Sequence, residues 1–177
     1  SETQELTHLK DKEKETKQLS WASVSPDGKT VVYAKDLNLW RMSREDYEKL
    51  KKDEKDSTIT EIQITTDGVK DFGYGQPYYM LNTDTLLNGK RRGAYGVWSP
   101  DSRYFVTVVT DERPVKELWV INALAEPRPT LETYKYHMPG EKEAPVEHLY
   151  IFDMNDNSRK EIATERFKDQ TLSVGRK

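Results

Sequence analysis

"SVSPDGKTV" spans residues 23–31, and "WSPDSRYFV" spans residues 98–106. The two Ser-Pro-Asp triplets begin at Ser25 and Ser99, 74 positions apart. A catalytic motif has no reason to occur twice in one chain, whereas a structural building block does. In each copy Pro fixes φ near the value that the second position of a tight turn needs, and Asp tolerates the next corner. Gly28 then takes a positive φ without steric cost. Ser102 stands at that place in the second copy, which predicts a looser turn there.

Working outward, the flanking runs are short, rich in β-formers and joined by turn residues, the pattern of an antiparallel meander. Unit one covers residues 21–68. Its strands are 21–24, 29–35 ("KTVVYAK"), 36–42 ("DLNLWRM") and 59–65 ("ITEIQIT"), closed by Thr66-Asp67-Gly68. Unit two covers 94–164, with runs at 94–98, 103–110 ("RYFVTVVT"), 147–154 ("EHLYIFDM") and 159–164. Each unit offers four strands, the content of one propeller blade.

Two insertions interrupt the units. Residues 43–57 ("SREDYEKLKKDEKDS") read as a short exposed helix. Ser43 and Asp46 have the spacing of an N-cap and its N3 partner, Glu48 and Lys52 stand at i, i+4, and Tyr47 and Leu50 share a face that can dock. Residues 116–145 form the second insertion, with one β-like run ("KELWVIN") before the Pro-rich "EPRP" and "TYKYHMPGE". Residues 69–93 are a Gly/Tyr-rich connection between the units, residues 1–20 the end of a preceding blade or a linker, and residues 165–177 the start of a next blade. The expected fold is all-β: about two four-stranded antiparallel blades of a β-propeller with a short helical insertion. A propeller closes about four to eight blades into a ring. Two blades leave open strand edges, so the chain is expected to be a fragment of a larger protein, able to self-associate through those edges.

Composition narrows the chemistry. The 177 residues include 28 Lys and Arg against 31 Asp and Glu, for a formal net charge of −3, and the mean hydropathy is −0.92. A weakly acidic chain is a poor candidate for nucleic-acid or anionic-membrane binding. The basic run Lys90-Arg91-Arg92 between Gly89 and Gly93 reads as a solvated loop. No apolar run approaches the ~20 residues of a membrane span. There is no cysteine, which excludes disulfides, thiolate metal sites and cysteine nucleophiles.

Catalytic patterns are weak. No Gly-x-Ser-x-Gly elbow occurs, and Ser25 and Ser99 read as turn residues. His148 alternates with Tyr150 and Phe152 on one strand face, so packing is the better reading; His137 reads as structural. "DMNDNSRKEIATE" begins like a calcium loop, but Ser158 stands where the sharp turn wants Gly and Thr164 where a bidentate Glu is needed. No metal, cofactor or catalytic residue is expected in this chain. By composition the best binding stretch is residues 71–79 ("DFGYGQPYY"), whose glycines expose backbone and whose tyrosines give broad surfaces with a polar tip. Its candidates are Asp71, Tyr74, Tyr78 and Tyr79, set against a plainer reading in which the rings fasten a long loop onto its blade.

"SPDGKTVVYAKDLNLW", "EIQITTDG", "GVWSPDSRYFVTVVTDERPVKELWVIN" and "TYKYHMPGE" together resemble the N-terminal propeller of dipeptidyl peptidase IV-type enzymes, in the prolyl oligopeptidase group of serine peptidases. The resemblance runs from about Leu19 to Thr164. It implies a parent enzyme that removes dipeptides from peptide N-termini, with an irregular propeller of about eight blades over a C-terminal α/β-hydrolase domain that holds the nucleophile, acid and His. This chain would then gate and orient peptides without cleaving them. The family is usually periplasmic in bacteria, and the absence of cysteine fits such a source; a periplasmic or extracellular location is expected. The resemblance also implies a Glu pair that grips the substrate ammonium by charge-assisted hydrogen bonds, placed after an aromatic stretch. Asp71, Phe72 and Tyr74 match that stretch, while Gly75 and Gln76 stand where the glutamates belong, and no two Glu are adjacent anywhere in the chain. The amine-binding role therefore passes to no residue here, with Asp71 and Asp84 the nearest acids. Two rivals are a non-catalytic periplasmic propeller that binds protein partners, and a glycan binder that stacks sugars on Tyr74, Tyr78 and Tyr79.

Overall fold

In the computed structural model, which describes residues 18–75, 86–167 and 170–175, both Ser-Pro-Asp turns sit between adjacent antiparallel strands. β1 (Ser23–Val24) enters the first turn and β2 (Thr30–Lys35) leaves it. β2 returns through Asp36-Leu37 into β3 (Asn38–Ser43). Both turn residues have positive φ, 48° and 64°, the mirror-image turn that matches strand twist. α1 (Arg44–Lys52) follows directly, and β4 (Ile62–Gln63) completes a sheet of order β1-β2-β3-β4.

The second sheet has the order β10-β9-β6-β5. It is built from β5 (Gly96–Trp98), β6 (Tyr104–Asp111), β9 (Val146–Asp153) and β10 (Arg159–Ile162). The chain leaves this sheet after β6 to make a separate hairpin of β7 (Glu117–Asn122) and β8 (Thr130–Lys135). The two four-stranded antiparallel sheets are the two expected blades. β7 is the β-like run of the insertion, while β8 falls in the Pro-rich part that follows it; its cross-strand partner β7 is what makes it a strand.

The two turns are the same object. Ser25 and Ser99 each donate a hydroxyl hydrogen bond to the Asp two residues on, at 2.6 and 2.5 Å. Each hydroxyl accepts from the backbone N–H of the first residue of the next strand, Thr30 at 3.0 Å and Tyr104 at 2.8 Å. Gly28 and Ser102 close the turns with φ of 74° and 62°. The second turn is therefore not looser, because Ser102 adopts the glycine conformation and its hydroxyl accepts from the Asp27 N–H of the first turn, at 2.9 Å.

The sheets pack face to face. Val32, Ala34 and Leu39 of the first blade meet Trp98, Phe105, Val109, Tyr150, Phe152 and Met154 of the second in one buried cluster. The opposite face of the first blade carries Val31, Tyr33 and Met42, which α1 covers with Tyr47 and Leu50. β2 is thus buried on both faces, which explains why "VVYA" is continuously apolar instead of alternating. Ser43 caps α1 by accepting from the Asp46 N–H, as its spacing predicts. Glu48 pairs with Arg44 and Lys51, not with the Lys52 that the spacing offered.

The basic run is not a solvated loop. Arg92 exchanges two backbone hydrogen bonds with Ala34 at the edge of β2. Arg91 lies near the rings of Trp21 and Tyr33 and donates to Glu61 at 2.8 Å. Lys35 and the Tyr33 hydroxyl donate to the same carboxylate. Burial resists charge on Glu61, but these three donors outweigh it and hold its pKa down at about 2. The "DMNDNSR" segment is the β9–β10 hairpin turn.

Candidate functional site

The connection that follows β4 wraps the β2–β3 turn as a strap around a peg. Leu37, 2% exposed, projects into it, and its carbonyl accepts from the Tyr74 N–H at 2.9 Å. A side chain at Gly68 or Gly73 would strike Leu37, at 2.1 Å from its carbonyl oxygen or 2.6 Å from its Cδ2. At Gly75, with φ of 70°, a Cβ would lie 2.4 Å from the Ala34 Cβ and 2.6 Å from the Gly93 oxygen. No acidic side chain fits there, so glycine at 75 is a packing requirement of this strap.

Phe72 and Tyr74 point inward, 5% and 2% exposed, and join the core shared by both blades. Tyr74 packs against Phe72, Tyr150 and Phe152 at ring separations of 6.0–6.5 Å. A buried ring offers no stacking face to a sugar, so Tyr74 fastens the strap to the blades. Its hydroxyl accepts from Arg159 at 2.7 Å and donates to Asp67 at 3.4 Å. Burial, with the Asp67 charge second, pushes the Tyr74 phenol above its ordinary value. Arg159 also pairs with Asp67 at 2.5 Å and lies over the Tyr150 ring, so β10 of one blade is clipped to the loop that follows β4 of the other. Tyr78, Tyr79, Gln76 and Asp84 lie outside the described residues.

Asp71 is the candidate left half-buried, its side chain 15% exposed. It sits at φ 62°, where its carbonyl accepts from the Glu112 N–H at 2.8 Å. Its carboxylate is 4.0 Å from the Lys135 ammonium at the end of β8. Beside it, Arg113 grips Asp111 with two hydrogen bonds of 2.8 and 2.6 Å and covers the Phe72 ring. Burial opposes the Asp111 charge, but Arg113 prevails and lowers its pKa. His148 stacks on Tyr150, meets Phe72 edge-on, and bonds Glu161 at 2.6 Å, so its packing role holds and gains a carboxylate partner.

The fold therefore gathers Asp71, Asp111, Arg113, Lys135, His148 and Glu161 into a charged rim around Phe72. Of these, the sequence marked Asp71 as a binding candidate and His148 as a packing residue. Those other than Asp71 come from four strands (β6, β8, β9 and β10) and a loop, and the pairings of β6 with β9, β9 with β10 and β7 with β8 bring them together. Such a rim can bind charged or zwitterionic groups through carboxylates and cations. Ser25 and Ser99 are both committed to their turns, and His137 bonds the Glu141 carbonyl at 3.0 Å, within its own loop. Among the described residues no group of three or more His, Cys, Asp and Glu could hold a metal ion, and no helix is long and apolar enough to cross a membrane.

Comparison with known proteins converges on one family. A model of the dipeptidyl peptidase IV N-terminal region matches residues 1–174. A curated protein of Sclerotinia sclerotiorum, "Probable dipeptidyl-aminopeptidase B", is 30% identical over 125 residues, which make up 70% of this chain and 11% of that protein. Among solved structures, dipeptidyl peptidase 4 of Porphyromonas gingivalis superposes with a TM-score of 0.57 at 24% identity, covering 81% of this chain and 18% of that one. The last likeness is one of fold. The chain thus spans 11% and 18% of the two relatives' lengths.

Proposed function

The chain belongs to the dipeptidyl peptidase IV N-terminal region family, and from that premise we propose that it is the part of a serine exopeptidase that admits and orients peptides. In this reading a C-terminal α/β-hydrolase domain, elsewhere in the parent, supplies the nucleophile. The parent works in the periplasm or outside the cell, and its substrates are peptides with a free N-terminus. The open edges at β4 and β10 let the isolated chain self-associate.

One observation carries the reading: the charged rim is held rigidly by the Phe72–Tyr74 strap. A binding surface built on packed elements positions a ligand better than one on free loops. The rim presents both signs of charge, as a peptide terminus with its flanking carbonyls requires. Because Gly75 leaves no room for a carboxylate, the substrate ammonium is assigned to rim acids, of which Asp71 is the nearest in sequence to that place.

The test uses the parent enzyme and the isolated chain side by side. With a Gly-Pro chromogenic substrate, the isolated chain should show no turnover, and Asp71→Asn in the parent should raise KM more than it lowers kcat. Turnover by the isolated chain, or an Asp71→Asn parent with unchanged KM, overturns the proposal.

A further inference from the structure

The connection between the blades runs through Asn88-Gly89 before its anchor at Arg91 and Arg92, and none of the functional argument uses that pair. Asn88, Gly89 and Lys90 are all exposed. Gly89 has φ of 69°, and a Cβ built there would meet nothing within 4 Å. Glycine at 89 therefore puts no Cβ in the way of the Asn88 side chain as it approaches the Gly89 nitrogen. The Asn88 Oδ1 accepts from the Lys90 N–H at 3.1 Å, which folds the side-chain amide back over the Gly89 peptide as an Asx turn does. The Gly89 N–H itself donates to the Asp36 Oδ1 at 2.7 Å. Asp36 is the first residue of the β2–β3 turn, fixed by the strand register on both sides.

We propose that Asn88 is a site of self-deamidation, in which the Asp36 carboxylate serves as the base. The Asp36 oxygen takes the proton from the Gly89 nitrogen, and that nitrogen attacks the Asn88 Cγ. A carbon–nitrogen bond forms, the Cγ–Nδ2 bond breaks, and the amide leaves as ammonia with a proton returned to it. Water then opens the cyclic imide at one carbonyl or the other, giving aspartate or isoaspartate at 88. A positioned carboxylate within hydrogen-bond reach of the proton it removes meets the geometric requirement for general-base catalysis. The product puts a second carboxylate beside Asp36 and adds one negative charge to a chain of formal net charge −3. Isoaspartate also adds a methylene to the backbone just before Arg91 and Arg92, the residues that tie this end of the connection to Glu61 and Ala34. The modification therefore loosens the connection at its second anchor.

The experiment incubates the folded chain at neutral pH and follows each Asn-containing peptide by mass spectrometry. Asn88 should deamidate several-fold faster than Asn38, Asn122, Asn155 and Asn157. Asp36→Asn should slow it several-fold, since Asn tolerates the same positive φ and keeps an acceptor without the base. Gly89→Ala serves as the blocked control. A second arm repeats the incubation in denaturant, where the Asp36 contact is lost. Faster loss in the folded chain supports the proposal; protection by folding, or an unchanged rate in Asp36→Asn, overturns it.

Discussion

The backbone N–H of Asp27 donates to the hydroxyl of Ser102 at 2.9 Å, so that the turn of one blade is bonded to the equivalent turn of the next. Replacing Ser102 separates two effects. Ser102→Gly relieves a positive φ and loses the bond, and should change stability by less than about 1 kcal/mol. Ser102→Ala keeps the unfavourable φ and loses the bond, and should cost about 1 kcal/mol. Urea midpoints check this: the difference between the two variants reads the cost of the positive φ, and a Ser102→Ala midpoint equal to that of the unmodified chain would mean that the contact between turns contributes nothing.

Acid should weaken the protein through Glu61. Its folded pKa of about 2 lies below the ordinary carboxyl value of 4.5, so the folded state favours the ionised carboxylate. That stability is fully present above the unfolded value and is lost as pH falls from about 4.5 towards 2. At about 1.4 kcal/mol per pKa unit, the contribution is about 3 kcal/mol. Glu61→Gln should destabilise the chain at neutral pH and match it near pH ~2. Denaturant titrations across that window provide the measurement, and parallel acid profiles would refute the role of Glu61.

Gly75 and Gly89 have nearly the same φ, 70° and 69°, in opposite surroundings. Gly89→Ala should cost only the conformational penalty, about 1–2 kcal/mol. Gly75→Ala adds a collision with Ala34 and Gly93 and should cost a further 1–3 kcal/mol or so. If thermal melts rank the two variants equally, the strap is softer than its packing indicates.

Tyr74 should matter through its ring more than its hydroxyl. Tyr74→Phe loses hydrogen bonds to Arg159 and Asp67 while leaving that ion pair in place, at a cost of about 1 kcal/mol. Tyr74→Ala empties a site between both blades and should cost about 3–5 kcal/mol. Chemical denaturation of the two proteins distinguishes anchoring from a purely polar role.

The blades were legible because their signals are local. Ser25-Pro26-Asp27-Gly28 states its turn within four residues, and Ser43 with Asp46 states the helix start. Ser102 misled because a residue's tolerance of positive φ depends on what its side chain can bond, and here that is a neighbour 75 residues away. Arg91 misled for the same reason: beside two glycines it looks solvated, and only Glu61, Trp21 and Tyr33 make it structural. The charged rim was the least legible part. Asp71, Arg113, Lys135 and His148 share no spacing or motif, and they meet only because β6 pairs with β9 across an intervening hairpin.

That pairing has a practical side. Asp111 and Val146 stand directly opposite each other at the open end of the β6–β9 ladder. The chain leaves at one and re-enters at the other, so residues 112–145 form a parenthesis in the text of the blade. A short reverse turn could close the gap while every rung of the ladder stays in register, at the loss of Val115, the Glu112 amide, Arg113 on Asp111 and Phe72, and Lys135 beside Asp71. The same doorway could admit foreign sequence, making this junction a ready-made graft site for a reporter or an epitope that leaves the two sheets as they are.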